Sequence, residues 1–346
     1  MYLFNNDYNE ICHPEVLRSL VENQSVQMAG YGCDPACEKA INIIREKCNA
    51  PSAAVHFLVG GTQANLTVIS AALRPHQAVL AASTGHIYVH ETGAIEATGH
   101  KVISLPSIDG KISVDSVREA VLEQRLSPDA EHLSQPKLVY ISNPTEYGTI
   151  YTKQELTDLS TLCRELGLFL YADGARLGYG LVAQDNDVSL SDMADLCDAF
   201  YIGGTKVGAM FGEAVVITNP AIAEDFRYIM KQRGGLLAKG WLIGLQFSAL
   251  LSNDLYFDIS RHANLLADRI RQAVISAGYN LHITNKTNQV FAIMPNKFLK
   301  QLGKNFSYSF WEHAANDCSV VRFCTSWATT PEAVDALCEC IRRTVD

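Results

Sequence analysis

The chain has 346 residues, of which 48% are hydrophobic and 19% charged, and its formal net charge is −9. That length supports one large core with a smaller second domain, and the acidic balance argues against nucleic acid or an anionic membrane as the main partner. The ten cysteines are dispersed and include no CxxC pair, which fits reduced thiols in a cytoplasmic protein and gives no reason to expect a disulfide framework or a metal site.

The N-terminus, Met1-Tyr2-Leu3-Phe4, turns polar at Asn5 and lacks the basic and long apolar segments of a secretory leader. No apolar run approaches the roughly 20 residues that span a bilayer. Short apolar runs at 54–59, 78–81, 101–105, 137–142, 168–172, 199–202 and 213–217 read as strands. Helical patterns occupy 62–73, 89–97, 114–124 and 153–166, with Gly167 placed as a C-cap after the last. Leu138-Val139-Tyr140-Ile141 and Leu168-Phe169-Leu170-Tyr171 are apolar throughout, as strands buried on both faces are. Alternating strand and helix predicts an α/β domain with a largely parallel sheet, whose ligands bind beyond the carboxyl ends of the strands.

After Pro220 a helical stretch runs to about 251, interrupted by Gly234-Gly235, and a second helix covers about 259–277. Strand-like segments at 289–294 and 319–323 and a closing helix from Pro331 predict a smaller α+β domain. The expected division is 1–250, a large domain with the N-terminal segment and a helical connector, and 251–346.

Three strand ends carry polar or glycine-rich chemistry. Gly60-Gly61-Thr62 opens a helix, where glycines permit close approach and free N–H groups bind phosphate; the plainer alternative is a tight turn with Thr62 as N-cap. Asp173 ends an apolar strand, where a carboxylate needs a cation such as a pyridinium N–H, or else caps the next helix. Arg176 suits bidentate grip on a substrate carboxylate, or a structural ion pair with a neighbouring acid. Lys206 lies among glycines after a strand; a desolvated lysine there is nucleophilic toward aldehydes, whereas an ordinary loop lysine faces solvent.

In this order the parts resemble the fold-type I pyridoxal-phosphate enzymes. The likeness extends to the threonine aldolase and β-eliminating lyase family. It is carried by Tyr31-Gly32-Cys33-Asp34-Pro35, FLVGGTQAN from Phe57, HIYVHETG from His86, SNPTEYGT from Ser142, YADGAR from Tyr171, GGTKVG from Gly203 and VRFCTSW from Val321. The resemblance implies a large domain with a mixed, mostly parallel sheet flanked by helices and a smaller C-terminal α+β domain. It implies that Lys206 holds pyridoxal 5'-phosphate as a Schiff base, that Asp173 partners its ring nitrogen and that His86 stacks on the ring and takes part in proton transfer; the candidate bases for the β-hydroxyl are His86, His132 or an ordered water.

By the same resemblance, Gly61, Thr62 and Thr205 contact the phosphate, with Lys239 standing where some members have an arginine after the Gly-Gly pair. Asn6, Arg176 and Arg322 would hold the substrate carboxylate. Asn6-Asp7 stands where many members have Ser-Asp, which weakens the argument for Asn6. His132 would lie near the substrate hydroxyl, and Tyr31 would reach the site of a neighbouring subunit. The expected activity is retro-aldol cleavage of L-threonine or L-allo-threonine to glycine and an aldehyde, in a cytoplasmic homo-oligomer built as a dimer of dimers. Beta-elimination or racemisation on the same cofactor, and a non-catalytic amino-acid-binding protein, are the alternatives.

Overall fold

The computed structural model describes residues 1–343. Its large sheet contains β2 (Ala54–Leu58), β3 (Gln77–Ala82), β4 (Lys101–Leu105), β5 (Gln135–Ser142), β6 (Phe169–Asp173), β7 (Ala199–Gly203) and β8 (Glu213–Ile217), after a short β1 (Tyr2–Leu3) that lies elsewhere. The order is β2-β8-β7-β6-β5-β3-β4, and only β8 runs against its neighbours. All seven strands fall on the apolar runs of the sequence. The helices Gly61–Ala72, Val114–Leu126 and Lys153–Leu166 also form as expected. Gly167 closes the last of these in the left-handed region, and Thr152 and Glu155 form a capping box at its start. Apolar cores cover both faces of the sheet.

The helical pattern at 89–97 is not realised. The chain forms a one-turn helix, His86–Val89, and a 3₁₀ turn at Glu96–Thr98. Thr92 and Gly93 both take positive φ between them, which ends any continuous helix. Thr62 is not an N-cap: the helix starts one residue earlier behind Gly60, with no side-chain cap.

The small body is a sheet of β9 (Asn280–Leu281), β10 (Gln289–Pro295), β12 (Ser309–Ala314) and β13 (Cys318–Cys324), in the order β12-β13-β10-β9. The helices Leu255–Ser276 and Pro331–Arg342 cover it. Two features redraw the expected domain division. First, β1 pairs in parallel with β11 (Phe306–Ser307), and Phe4 is buried in the small core with Leu266, Ile270 and Phe323. Second, the long helix from Leu255 straddles both bodies: Tyr256, Ile259 and Ala263 pack in the large core, and residues from Leu266 onward in the small one. The N-terminal segment therefore does not belong wholly to the large domain, because its apolar side chains find their burial in the small one.

Candidate active site

The turn after β2 and the carboxyl ends of β6 and β7 surround a cavity of about 320 Å³. It is lined by Gly61, Thr62, His86, Asp173, Arg176 and Lys206, among others. An adjoining cavity of about 490 Å³ shares Tyr8, His86, Glu146, Arg176 and Lys206 with it and extends to Trp311 and Arg322 of the small body.

Asp173 lies at the end of β6, in register with Ser142 of β5. Its Oδ1 accepts hydrogen bonds from the Tyr201 hydroxyl (2.5 Å) and the Ala175 amide (2.9 Å). Its Oδ2 accepts from the Tyr140 hydroxyl (2.7 Å) and Asn65 Nδ2 (3.0 Å). Burial pushes this carboxyl up, but the His86 charge and the donated hydrogen bonds outweigh it and hold the group below the ordinary range. The result is a buried carboxyl that favours its ionised form and faces a cavity, which is the environment a cationic ring nitrogen requires.

Lys206 follows β7 and faces the same cavity. Burial lowers its amine below the usual lysine range, and the Arg176 charge lowers it further against the pull of Asp7, Asp173 and Glu213. That favours the neutral, nucleophilic amine. Glu213, at the start of β8, is pushed up to about 8 by burial, against the Thr205 hydrogen bond, the Lys206 charge and the Gly204 amide. Thr205 lines the cavity, but its hydroxyl donates to Glu213 Oε1 (2.8 Å) and accepts from the Gly212 amide (3.0 Å). The role expected of it in gripping phosphate is therefore already taken within the protein.

A closed circuit of hydrogen bonds surrounds the site. His86 Nδ1 meets Glu91 Oε1 at 2.8 Å, and Asn65 Nδ2 donates to that oxygen (2.7 Å) as well as to Asp173. On the other side the Ser142 hydroxyl lies 2.7 Å from Glu146 Oε1 and 3.2 Å from the Tyr140 oxygen. The His86 amide closes the ring by donating to Glu146 Oε1 (2.8 Å). Tyr140 spends its own proton on Asp173. Ser142 has one proton for two acceptors, and the closer of them is Glu146 Oε1. Burial pushes the Glu146 carboxyl upward.

Arg176 is paired. Its Nε and Nη2 grip Asp7 Oδ2 and Oδ1 at 2.7 and 3.0 Å, and Asn288 Nδ2 also donates to Asp7 (2.8 Å). Of the two roles the sequence left open, the ion pair with a neighbouring acid is formed; only Nη1 is not engaged by a described protein group. Arg322 donates through Nη1 to Gln289 (3.0 Å) and lies over the Trp311 ring. Its Nε is buried without a hydrogen-bond partner among the described residues. Asn6 turns inward on its own chain, its Oδ1 accepting from the Tyr8 amide, and does not line the cavity.

Three other expected residues lie away from this chain's cavity. His132 ends an exposed 3₁₀ turn just before β5 begins. Because the site lies beyond the carboxyl ends of the strands, the eight residues of β5 put His132 at the wrong end of the sheet, roughly 25 Å away at about 3.3 Å per residue. Lys239 is exposed, and Tyr31 packs under the Lys231 amine and beside a separate cavity. The Tyr31 amide donates to the Ala238 carbonyl, so Tyr31 and the segment carrying Lys239 form one patch.

The sequence matches the beta-eliminating lyase family over residues 15–296. The chain belongs to the beta-eliminating lyase family. It is 30% identical to the low specificity L-threonine aldolase of Pseudomonas aeruginosa, over 97% of this chain and 96% of that protein. The Escherichia coli K12 protein of the same name is 27% identical over 70% of this chain and 71% of its own length. A Leishmania major threonine aldolase structure superposes with a TM-score of 0.98 at 45% identity, over 100% of both chains. A Thermus thermophilus aspartate aminotransferase shares the fold, with a TM-score of 0.73 at 16% identity over 99% of this chain and 91% of that one.

The residues of this lyase fit pyridoxal 5'-phosphate. The Gly60 position opens onto space, with no heavy atom within 4 Å of a built Cβ, at the start of a 12-residue helix whose first amides are free to take phosphate. Asp173 supplies the anion, Lys206 the amine and His86 a ring in the same cavity. Sequence reasoning gave no role to Asp7, Tyr8, Asn65, Glu91, Glu146 or Glu213. Glu146 lies within the SNPTEYGT segment, and its position beyond a buried strand was the one signal available.

Proposed function

We propose that this lyase cleaves L-threonine and L-allo-threonine to glycine and acetaldehyde, using pyridoxal 5'-phosphate held at Lys206. The observation that carries the reading is the pairing, in one cavity, of the ionised Asp173 with the neutral-leaning amine of Lys206. When bound, the cofactor supplies an electron sink for the pair released from a bond at Cα. Asp173 would keep the ring nitrogen protonated, Gly61 and Thr62 would offer amides to the phosphate, and His86 would cover the ring.

Arg322 offers its unpartnered Nε, and Arg176 its free Nη1, to the substrate carboxylate. Holding that group would orient the Cα bond that is to break. Tyr8, Phe310 and Trp311 give the larger cavity an aromatic wall against which the substrate side chain would pack.

The lyase acts as a homo-oligomer, a dimer of dimers, in which the Tyr31 and Lys239 patch serves a neighbouring site rather than its own. The exposed apolar side chains of Tyr2, Leu3, Ile11, Leu17 and Val21 support association. No described helix is long and apolar enough to cross a membrane. The free cysteines fit a cytoplasmic location.

The test is the visible spectrum of the purified protein together with aldehyde release from threonine. Lys206→Ala is expected to lose both the cofactor absorbance and the cleavage. Release of pyruvate and ammonia in place of acetaldehyde would assign β-elimination instead.

A further inference from the structure

We propose that Glu146 is the catalytic base that takes the β-hydroxyl proton of the bound amino acid in cleavage and returns it in the reverse reaction. This rests on the aldolase reading and adds the group that reading lacks, since His132 lies at the far end of the sheet.

Glu146 lines both cavities where they adjoin. Its Oε1 is fixed by Ser142 and the His86 amide, and its carbonyl accepts from Gln289 of the small body. Its own backbone amide also bonds to the carboxyl, and Oε2 takes no hydrogen bond from any other described residue. One oxygen is thus anchored while the other is available to a ligand.

The other candidates are committed. His86 is given to the cofactor ring by the proposed function, Lys206 serves the cofactor, and His90 lines only the larger cavity. Facing Glu146 are the basic side chains His86, His90, Arg176, Lys206 and Arg322 and the acids Asp173 and Glu213. The phenols are Tyr8, across the cavity, and Tyr140, behind Ser142. Burial, with Asp173 adding to it, raises the carboxyl above the ordinary carboxylate range, which makes it a stronger base.

The step balances. The β-hydroxyl proton passes to Glu146 Oε2, and the O–H pair becomes the second bond of the aldehyde carbonyl. The Cα–Cβ pair stays on Cα, which takes up one proton to become glycine, and Glu146 gives its proton back to solvent. One amino acid yields one glycine and one aldehyde, with no oxidant or reductant.

The experiment compares wild type, Glu146→Gln and Glu146→Asp as holoenzymes. Glu146→Gln is expected to lower kcat for L-threonine and L-allo-threonine by roughly 10²–10⁴-fold. It should also remove the acidic limb of the pH profile, on which the wild-type rate rises with pH. Exchange of the glycine Cα proton for deuterium needs no β-hydroxyl and should survive, along with the cofactor absorbance. Glu146→Asp should recover part of the cleavage. In the infrared difference between wild type and Glu146→Gln, a protonated-carboxyl band should titrate with that limb.

Parallel loss of glycine exchange and cleavage would reduce Glu146 to a positioning residue and overturn the proposal. Unchanged cleavage in Glu146→Gln would overturn it outright. A wild-type protein that exchanges glycine yet releases no aldehyde would refute the aldolase reading, and this assignment with it.

Discussion

Asp7 is wholly buried and faces three donors, two of them from the guanidinium of Arg176. Burial works against its ionisation, but the charges of Arg176 and Lys206 prevail and bring the carboxyl down to about 2. A depressed acid stabilises the fold fully above its unfolded value of 3.8 and loses that contribution as the pH falls through about 2. At about 1.4 kcal/mol per unit, the linkage amounts to roughly 2–3 kcal/mol at neutral pH. Asp7→Asn should therefore lower the unfolding free energy by at least that much at pH 7, and urea denaturation at pH 3 should find the deficit reduced. Asp7 was overlooked because its neighbours in sequence, Asn5 and Asn6, read as a polar turn, and nothing local announces a partner 169 positions away. Asp173 and Lys206 were legible because each follows a buried strand directly. Glu146 and Glu213 were not, because their burial is created by elements distant in sequence.

At the level of elements, the seven strands of the large sheet were readable from apolar runs, since both faces are covered and no alternation is needed. Edge and surface elements were not: β12 alternates half-buried and exposed residues, and the helix Pro14–Glu22 buries only Val16. Strand direction alone puts His132, which precedes β5, opposite the ligand end of the sheet. The Gly61 turn shows what the site demands of an element. A methyl there would stand 2.9 Å from the Tyr201 oxygen, which itself donates to Asp173. Overpacking of this kind costs about 1–3 kcal/mol. Gly61→Ala should then weaken binding of pyridoxal phosphate to the apoprotein by roughly ten- to hundredfold, as measured by fluorescence titration.

For the whole molecule, the division into two bodies was foreseen, but the path of the N-terminal segment between them was not. Its pairing partner, Phe306–Ser307, is only two residues long, too short to leave a periodic signature. Phe4, at 1% exposure, is a core residue of the small body. Phe4→Ala should destabilise the protein by about 3–5 kcal/mol; chemical denaturation would show it, with the large sheet's own core untouched.

The same few residues are fastened at Tyr2–Leu3 to one body and, through the charge of Asp7, to the other. A rotation of the small sheet about the long straddling helix would drag this tether and loosen its grip on Arg176. The width of the cleft and the positive charge Arg176 can offer an incoming anion are thus mechanically linked.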